Sequence, residues 1–507
     1  MRYWFGGLPV MDITLATTSA KADGPKPERV LGYEPRRGPS LKALALRGSI
    51  WTIGGYGASQ VLRLGSNLIL TRLLFPEAFG LAALVTVFMQ GLAMFSDVGI
   101  GPAIIQSKHG DDPVFLNTAW TIQVTRGFGL WLFGCLAAWP AAALYAEPRL
   151  LQLIPVAGLT ALIGGFNSTA MFTANRHFDL RRLTIVNLVS QTLTSVAMVV
   201  WAWFVPSVWS LVGGGLIGAV VTAVMSHGYL PGTRCQLLWD RDAAKALFQF
   251  GRWIFISTFL TFWAMQGDRV VLGKLVALKV LAVYSIACML RQVPAQLMRQ
   301  ISSNVLLPAV SRVLRAEGNN ARKVKAARYA FMLVMLPACA LLVASGATIV
   351  HVLYDSRYAN AGELLGVLAA GVWLETVSVS YGTVLLSAGR PRMVAVGVGV
   401  RAGLFFALVW PAFHSFGVWG VALLTTLVEI GVLLPCMLAA RRLGAATPAV
   451  DALMTVAVVL LCALNTRVLS AVVGYSGSNL MGLVCLGAVG AVTMYGAHLC
   501  VRKVGAR

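Results

Sequence analysis

Charge is what this 507-residue chain has least of. Only 12% of its residues are Asp, Glu, Lys or Arg, about half the share of a soluble domain. Set beside 58% apolar residues and a mean hydropathy of +0.75, that scarcity excludes a water-surrounded globule and implies an integral membrane protein. Acid is scarcer than base, with 19 Asp and Glu against 41 Lys and Arg. In a soluble protein this excess would suggest nucleic acid, but membrane chains keep their basic residues on the cytoplasmic side. No basic stretch interleaved with aromatics lies outside the apolar segments, so no nucleic-acid partner is expected. The eight cysteines are scattered, with no CxxC and no His at ligand spacing, which excludes a zinc site and a disulfide framework; no metal and no cofactor is expected. GxxxxGK[ST], HExxH and GxSxG contexts are missing too, the six His are dispersed, and the longest loop, 230–246, is too short to house a catalytic domain. The chain is not read as an enzyme.

What is present is a series of apolar segments near the twenty residues that cross a bilayer. They can be laid out as about fourteen transmembrane helices, an all-α integral membrane protein: 48–72, 79–105, 115–141, 150–172, 183–205, 208–229, 247–273, 280–309, 327–352, 361–388, 393–413, 417–440, 449–466 and 479–500. Residues 1–46, rich in Pro, Gly and basic residues, read as a disordered cytoplasmic tail. Most Lys and Arg fall in segments that are cytoplasmic if the N-terminus is, including Arg176, Arg181, Arg182 and the loop from Arg312 to Arg328, so both termini are placed in the cytoplasm. The chain also repeats itself. Trp51, Gly65, Leu70 and Arg72 match Trp253, Gly267, Leu272 and Lys274 at a shift of 202 residues; Leu144-Tyr145 matches Leu353-Tyr354 at 209; Arg182 and Val208-Trp209 match Arg392 and Val418-Trp419 at 210. The reading is two parallel, pseudo-symmetric six-helix lobes around a central cationic cavity. The N-lobe is 47–235, the C-lobe with its amphipathic linker is 236–442, and 443–507 holds two extra helices and the C-terminus.

The stretches FPEAFGLAAL (75–84), SDVGIGPAIIQ (96–106), GDRVVLGKLV (267–276) and the paired VW dipeptides resemble the polysaccharide transporters of the MOP exporter superfamily, which include the Wzx-type oligosaccharide flippases. The resemblance covers about 45–445. It implies a V-shaped bundle in the bacterial inner membrane that flips undecaprenyl-diphosphate-linked oligosaccharide from the cytoplasmic to the periplasmic leaflet, for exopolysaccharide, capsule or O-antigen. A polysaccharide polymerase and export proteins are further partners on that reading. Two alternatives stay open: a cation-coupled multidrug exporter of the same superfamily, which should prefer an acidic, aromatic-lined cavity, and a non-transporting scaffold of a polysaccharide assembly complex, which needs no cavity.

The candidate site rests on the residues themselves. On the first helix Thr52, Tyr56, Ser59, Arg63 and Asn67 recur at steps of three and four, one face of a helix. A lone Arg63 near mid-membrane costs roughly 3 kcal/mol unless it faces a bundle interior or a wet cavity. On the eighth helix Cys288, Arg291, Gln292, Gln296, Arg299 and Ser303 form a second polar stripe, with Pro294 expected to kink or loosen it. Paired guanidinium forks suit a diphosphate and amides suit sugar hydroxyls. Arg63, Asn67, Arg126, Arg291, Gln292, Gln296 and Arg299 are therefore candidates for substrate binding; a snorkelling structural stripe is the plainer account of Arg299, and a pairing with Asp97 that of Arg126. Asp268 and Asp97 are candidates for coupling transport to H+ or Na+; a permanent bridge from Asp268 to Arg269 is the alternative. Arg401 is expected to pair with Glu429. The Asp97 to Pro102 run breaks the second helix.

Overall fold

The computed structural model describes residues 41–96, 99–177, 179–232, 234–315 and 321–476, and every regular element among them is a helix. The long α1 (Leu41–Leu73) turns within two residues into α2 (Pro76–Phe95), whose first residue is a proline, a place where the missing N–H is not needed. The expected break after α2 occurs at Gly99, whose φ of 63° lies in the left-handed region that only glycine enters freely, and α3 (Ile100–Gln106) follows. Asp112 caps α4 (Pro113–Tyr145) by accepting from Val114 N–H. The next span is broken: α5 (Leu150–Gly165) and α6 (Ala170–Arg176) meet at 59°. Helices α7 (Leu180–Phe204) and α8 (Val208–Gly228) complete the first half. After a strap, Asp240 caps α9 (Arg241–Leu275). The second half continues with α10 (Leu278–Ile301), a π-helical turn at 302–306, α11 (Leu307–Arg315), α12 (Ala321–Leu353), α13 (Asn360–Ser387), α14 (Pro391–Leu427), α15 (Ile430–Arg441) and α16 (Pro448–Ser476). Gly417, at φ 57° and ψ −137°, folds α14 into a kinked pair.

Among the described residues eight helices are long and apolar enough to cross a membrane, or nine if the bent α5–α6 pair is one span. Helices α1, α9 and α16 are also of spanning length, at 33, 35 and 29 residues, but fall outside that apolar set. The expected span 479–500 lies outside the described residues. Large apolar side chains such as Trp139, Phe204 and Leu453 are 68–77% exposed, the surface a hydrocarbon solvent requires.

Two expectations need correcting. Pro294 leaves α10 unbroken; the loosening comes eight residues later, in the π-helical turn, where an extra residue per turn is accommodated without an end to the helix. Arg328 is not in a cytoplasmic loop. It lies one-quarter of the way along α12 and is fully buried.

One pair of contacts parallels the sequence repeat. At the end of α4, Tyr145 donates to the Val270 carbonyl of α9 (3.4 Å). Just past α12, Tyr354 donates to Asn67 Oδ1 of α1 (3.2 Å). Matched tyrosines thus reach across to matched helices, since Asn67 and Val270 are themselves separated by 203 residues. Between them α2 and α10 cross closely: a Cβ on Gly80 would sit 2.1 Å from the Leu278 carbonyl oxygen. The largest buried apolar cluster, with Leu81, Leu272, Tyr284, Tyr354 and Leu365, belongs to this end of the bundle and draws on both halves. Arg357, held 3.0 Å from Asp355, donates to the carbonyls of Thr71, Arg72 and Leu74 at 3.2–3.4 Å. It satisfies the open end of α1 and its dipole. The end of α1 is thus tied to the segment that follows α12.

Candidate functional site

Nearer the middle of α1 the two halves touch through neutral polar groups. Tyr56 donates to Gln296 Oε1 of α10 (2.6 Å), while Gln60 Nε2 donates to the Tyr56 hydroxyl and to Gln296 Oε1 (2.8 Å). Helices α1 and α10 run antiparallel, with Gln60 opposite Gln296. Arg63 lies one turn, about 5 Å, beyond Gln60 on α1, and Gln292 and Arg291 lie about one turn before Gln296 on α10. Arg63 is half-buried and meets no carboxylate among the described residues; its Nε–H is buried without a partner.

Arg291 and Arg299 do not stand alone. Arg299 Nη1 lies 2.8 Å from Glu375 Oε1, and Arg291 Nη2 lies 3.5 Å from Glu375 Oε2 and 3.9 Å from Glu429 Oε1. Glu429, 1% exposed, also has Arg401 Nη1 at 2.9 Å, and Arg401 Nη2 donates to the Ala264 carbonyl. The result is a ladder of three guanidinium groups on two carboxylates across α10, α13, α14 and the start of α15. Among the described residues the buried Arg291 Nε–H has no partner. Arg401 meets Glu429 as the spacing suggested. Glu375 carries no sequence signal of its own: it is one of several acids in apolar segments, and only packing brings it between two arginines.

Asp268 is oriented in a third way. Its Oδ2 accepts from the fully buried Tyr284 hydroxyl (2.6 Å) and its Oδ1 from the backbone N–H of Arg269 (2.8 Å). The Arg269 guanidinium instead donates to Gln266, whose amide donates to Gln90 of α2. Asp268, Arg291 and Arg401 line a small cavity of about 40 Å³, room for a water or small ion in volume terms. Among the described residues no cluster of His, Cys, Asp and Glu could hold a metal ion.

Arg126 is elsewhere. It donates to Ser96 Oγ and the Ala93 carbonyl, both at 2.9 Å, and lines a hollow of about 470 Å³ between α2, α3, α4, α5 and α6. Asp97, its expected partner, lies outside the described residues. Its neighbours Asn117 and Gln123 are committed to the scaffold: Asn117 Oδ1 accepts from Gln236 N–H in the strap before α9, and Gln123 Nε2 donates to the carbonyls of Gly164, Gly165 and Asn167 at the α5–α6 break. Two further hollows line the first half. An apolar one of about 410 Å³ shares Ala93 and Ala161 with that of Arg126. A polar one of about 520 Å³ between α1, α7 and α8, with Gln300 of α10 on its wall, shares Gly215 with the apolar hollow. The structure thus joins Gln296 to α1, Asn67 to Tyr354, and Arg291 and Arg299 to Glu375, and leaves Arg126 in a separate hollow. Sequence reasoning missed Gln60, which stands on the polar stripe four residues after Tyr56 and three before Arg63, and Tyr284.

Residues 69–363 match the family model described as a polysaccharide biosynthesis protein. The chain is 24% identical to the succinoglycan biosynthesis transport protein ExoT of Rhizobium meliloti (strain 1021), over 72% of this chain and 74% of that one. It is 20% identical to a putative O-antigen transporter of Shigella flexneri, over 75% of this chain and 93% of that one. Its fold is similar to that of the lipid II flippase MurJ in an inward closed conformation, with a TM-score of 0.68 and 14% identity, over 91% of this chain and 100% of that one.

Proposed function

The chain belongs to the polysaccharide biosynthesis protein family, a multi-pass membrane protein by its apolar helices, and from that premise we propose that it is a flippase for a polyprenyl-diphosphate-linked oligosaccharide. The observation that carries the reading is the unbalanced charge of the α1–α10 seam. Asp268 and Arg269 cancel in the count although their side chains do not pair, the ladder holds one more guanidinium than it has carboxylates, and Arg63 adds another. A diphosphate joining lipid to sugar carries one negative charge on each phosphate, so it would balance the seam. Arg63 and Arg291 each hold a spare buried donor for it, and a charge in low dielectric demands a partner.

The two six-helix lobes, 47–235 and 236–442, rock about the contacts at the end of α1. With the N-terminus in the cytoplasm of a bacterium and the protein in its inner membrane, that closed end is periplasmic and the hollows of the first half open toward the cytoplasm, where the substrate is made. The headgroup enters the seam while the polyprenyl tail stays in lipid. Glu375 gives up Arg299 and Arg291 to the phosphates, and reclaims them on release at the other leaflet. Asp268, beside Arg291 and Arg401, is the carboxylate through which H+ or Na+ would couple to this exchange. Hollows of 410–520 Å³ favour transport over a scaffold, and an arginine-rich seam favours an anion over the cationic drugs of a multidrug exporter.

Flipping of undecaprenyl-diphosphate-linked oligosaccharide in proteoliposomes tests the proposal. Arg63→Glu should abolish flipping and Arg63→Lys should retain part of it. Unimpaired flipping by Arg63→Glu would remove the seam from the substrate path.

A further inference from the structure

The hollow between α1, α7 and α8 is chemically unlike the seam beside it. It has room for a drug-sized ligand, at about 520 Å³, and among the described residues its wall carries no Asp, Glu, Lys, Arg or His. What it carries is hydroxyl and amide. Thr184, Thr194 and Thr222 each donate their hydroxyl hydrogen back to their own helix, to the carbonyls of Leu180, Ser190 and Gly218 at 2.7–2.8 Å. Their oxygens are therefore left as acceptors toward the hollow. Asn187 and Gln191, one turn apart on α7, add side-chain amides that both donate and accept.

An independent observation marks the wall as unfinished. Ser190, 7% exposed, lines the hollow, and its Oγ is buried with no hydrogen-bond partner among the described residues. An orphaned buried hydroxyl is costly, and a ligand hydroxyl would satisfy it. Open space at Gly215, where a Cβ would meet nothing within 4 Å, keeps α8 clear of the volume.

From this we propose that the α1–α7–α8 hollow is the subsite for the sugar portion of the substrate, and that the residues nearest the diphosphate are neutral hexoses rather than uronic or sialic acids. The inference rests on the flippase reading above. Dense acceptors paired with amides match the many hydroxyls of a neutral sugar, and a carboxylate buried there would find no cation. Placement agrees: Tyr56 both lines the hollow and bonds Gln296 at the seam, and Arg63 lies seven residues on, about 10 Å along the helix. Phosphates at Arg63 thus leave the first sugars at the mouth of the hollow.

Binding of three probes to the full chain in nanodiscs tests this: undecaprenyl diphosphate alone, the same lipid bearing a neutral disaccharide, and one bearing a hexuronic acid next to the phosphate. The wild-type chain should bind the neutral-sugar lipid more tightly than the other two. Asn187→Leu/Gln191→Leu should lose roughly tenfold more affinity for the neutral-sugar lipid than for the bare lipid, as expected for two neutral hydrogen-bonding groups; Ser190→Ala should do the same to a smaller degree. Bare-lipid binding by each variant reports that it has folded. Equal losses for both probes, or uronic-acid lipid bound as tightly as neutral, would overturn the subsite while Arg63→Gln still weakened every probe. Failure of the wild-type chain to bind the bare lipid would overturn the flippase reading and this inference with it.

Discussion

Replacing Asp451 by Leu would strand the Arg328 guanidinium in the interior. Arg328 is wholly buried: it donates to Ser380 Oγ, the Ala445 carbonyl, Thr447 Oγ1 and Asp451, and it lies 3.5 Å over the ring of Tyr381. Tyr381 donates its hydroxyl to Asp451 as well. The group ties α12 and α13 to the start of α16. At 3.3 Å and an effective dielectric near 20, the pair attracts by roughly 5 kcal/mol. That attraction mainly offsets the desolvation of both charges, so removing one partner costs about 3–5 kcal/mol while removing both is nearly neutral. The expected result for Asp451→Leu is local detachment of α16, read as hydrogen exchange in residues 448–464 accelerated by roughly two to three decades. Arg328→Met/Asp451→Leu should restore most of the protection. Exchange in Asp451→Leu that matches wild type would refute the reasoning, as would a double variant as labile as the single one.

Glu375→Gln should free Arg299 and leave Arg291 only its longer contact to Glu429; polyprenyl diphosphate should then bind roughly tenfold tighter and flipping should slow, because Glu375 no longer competes with the phosphates at release. Weaker binding in that variant would show the ladder to be scaffold alone. Arg357→Ala removes the cap on α1 and should bias the lobes toward opening at the end of α1 by about 1–2 kcal/mol. A cysteine placed at Leu68 should then react several-fold faster with a membrane-impermeant thiol reagent added from the periplasmic side, and an unchanged rate would show that the cap does not hold that end shut.

Much of the architecture could be read without coordinates. Low charge and long apolar runs are one-dimensional properties, and in a solvent that cannot hydrogen-bond the backbone they lead directly to helices. Gly99 and Gly417 punctuated those runs legibly, because a left-handed backbone leaves glycine as almost the sole choice. Stripes on α1 and α10 were legible for a related reason: periodicity needs only the residue's place in its own helix. The tyrosines at 145 and 354, matched in the sequence, each hydrogen-bond a helix of the other stretch.

Partnership was not legible. Whether Arg291 stands free or between Glu375 and Glu429 depends on how α10, α13 and α15 cross, and residues 84 and 138 positions apart carry no local mark of their meeting. Arg328 shows the same limit in reverse: amid basic neighbours it looked like a solvated loop charge, yet Asp451, more than a hundred residues away, draws it inside. Composition and spacing determined that this chain is a helical membrane protein with cationic faces. Only the tertiary structure decided which cations are already satisfied and which, Arg63 first among them, still want an anion, because electrostatic compensation falls off with distance in space and takes no account of distance along the chain.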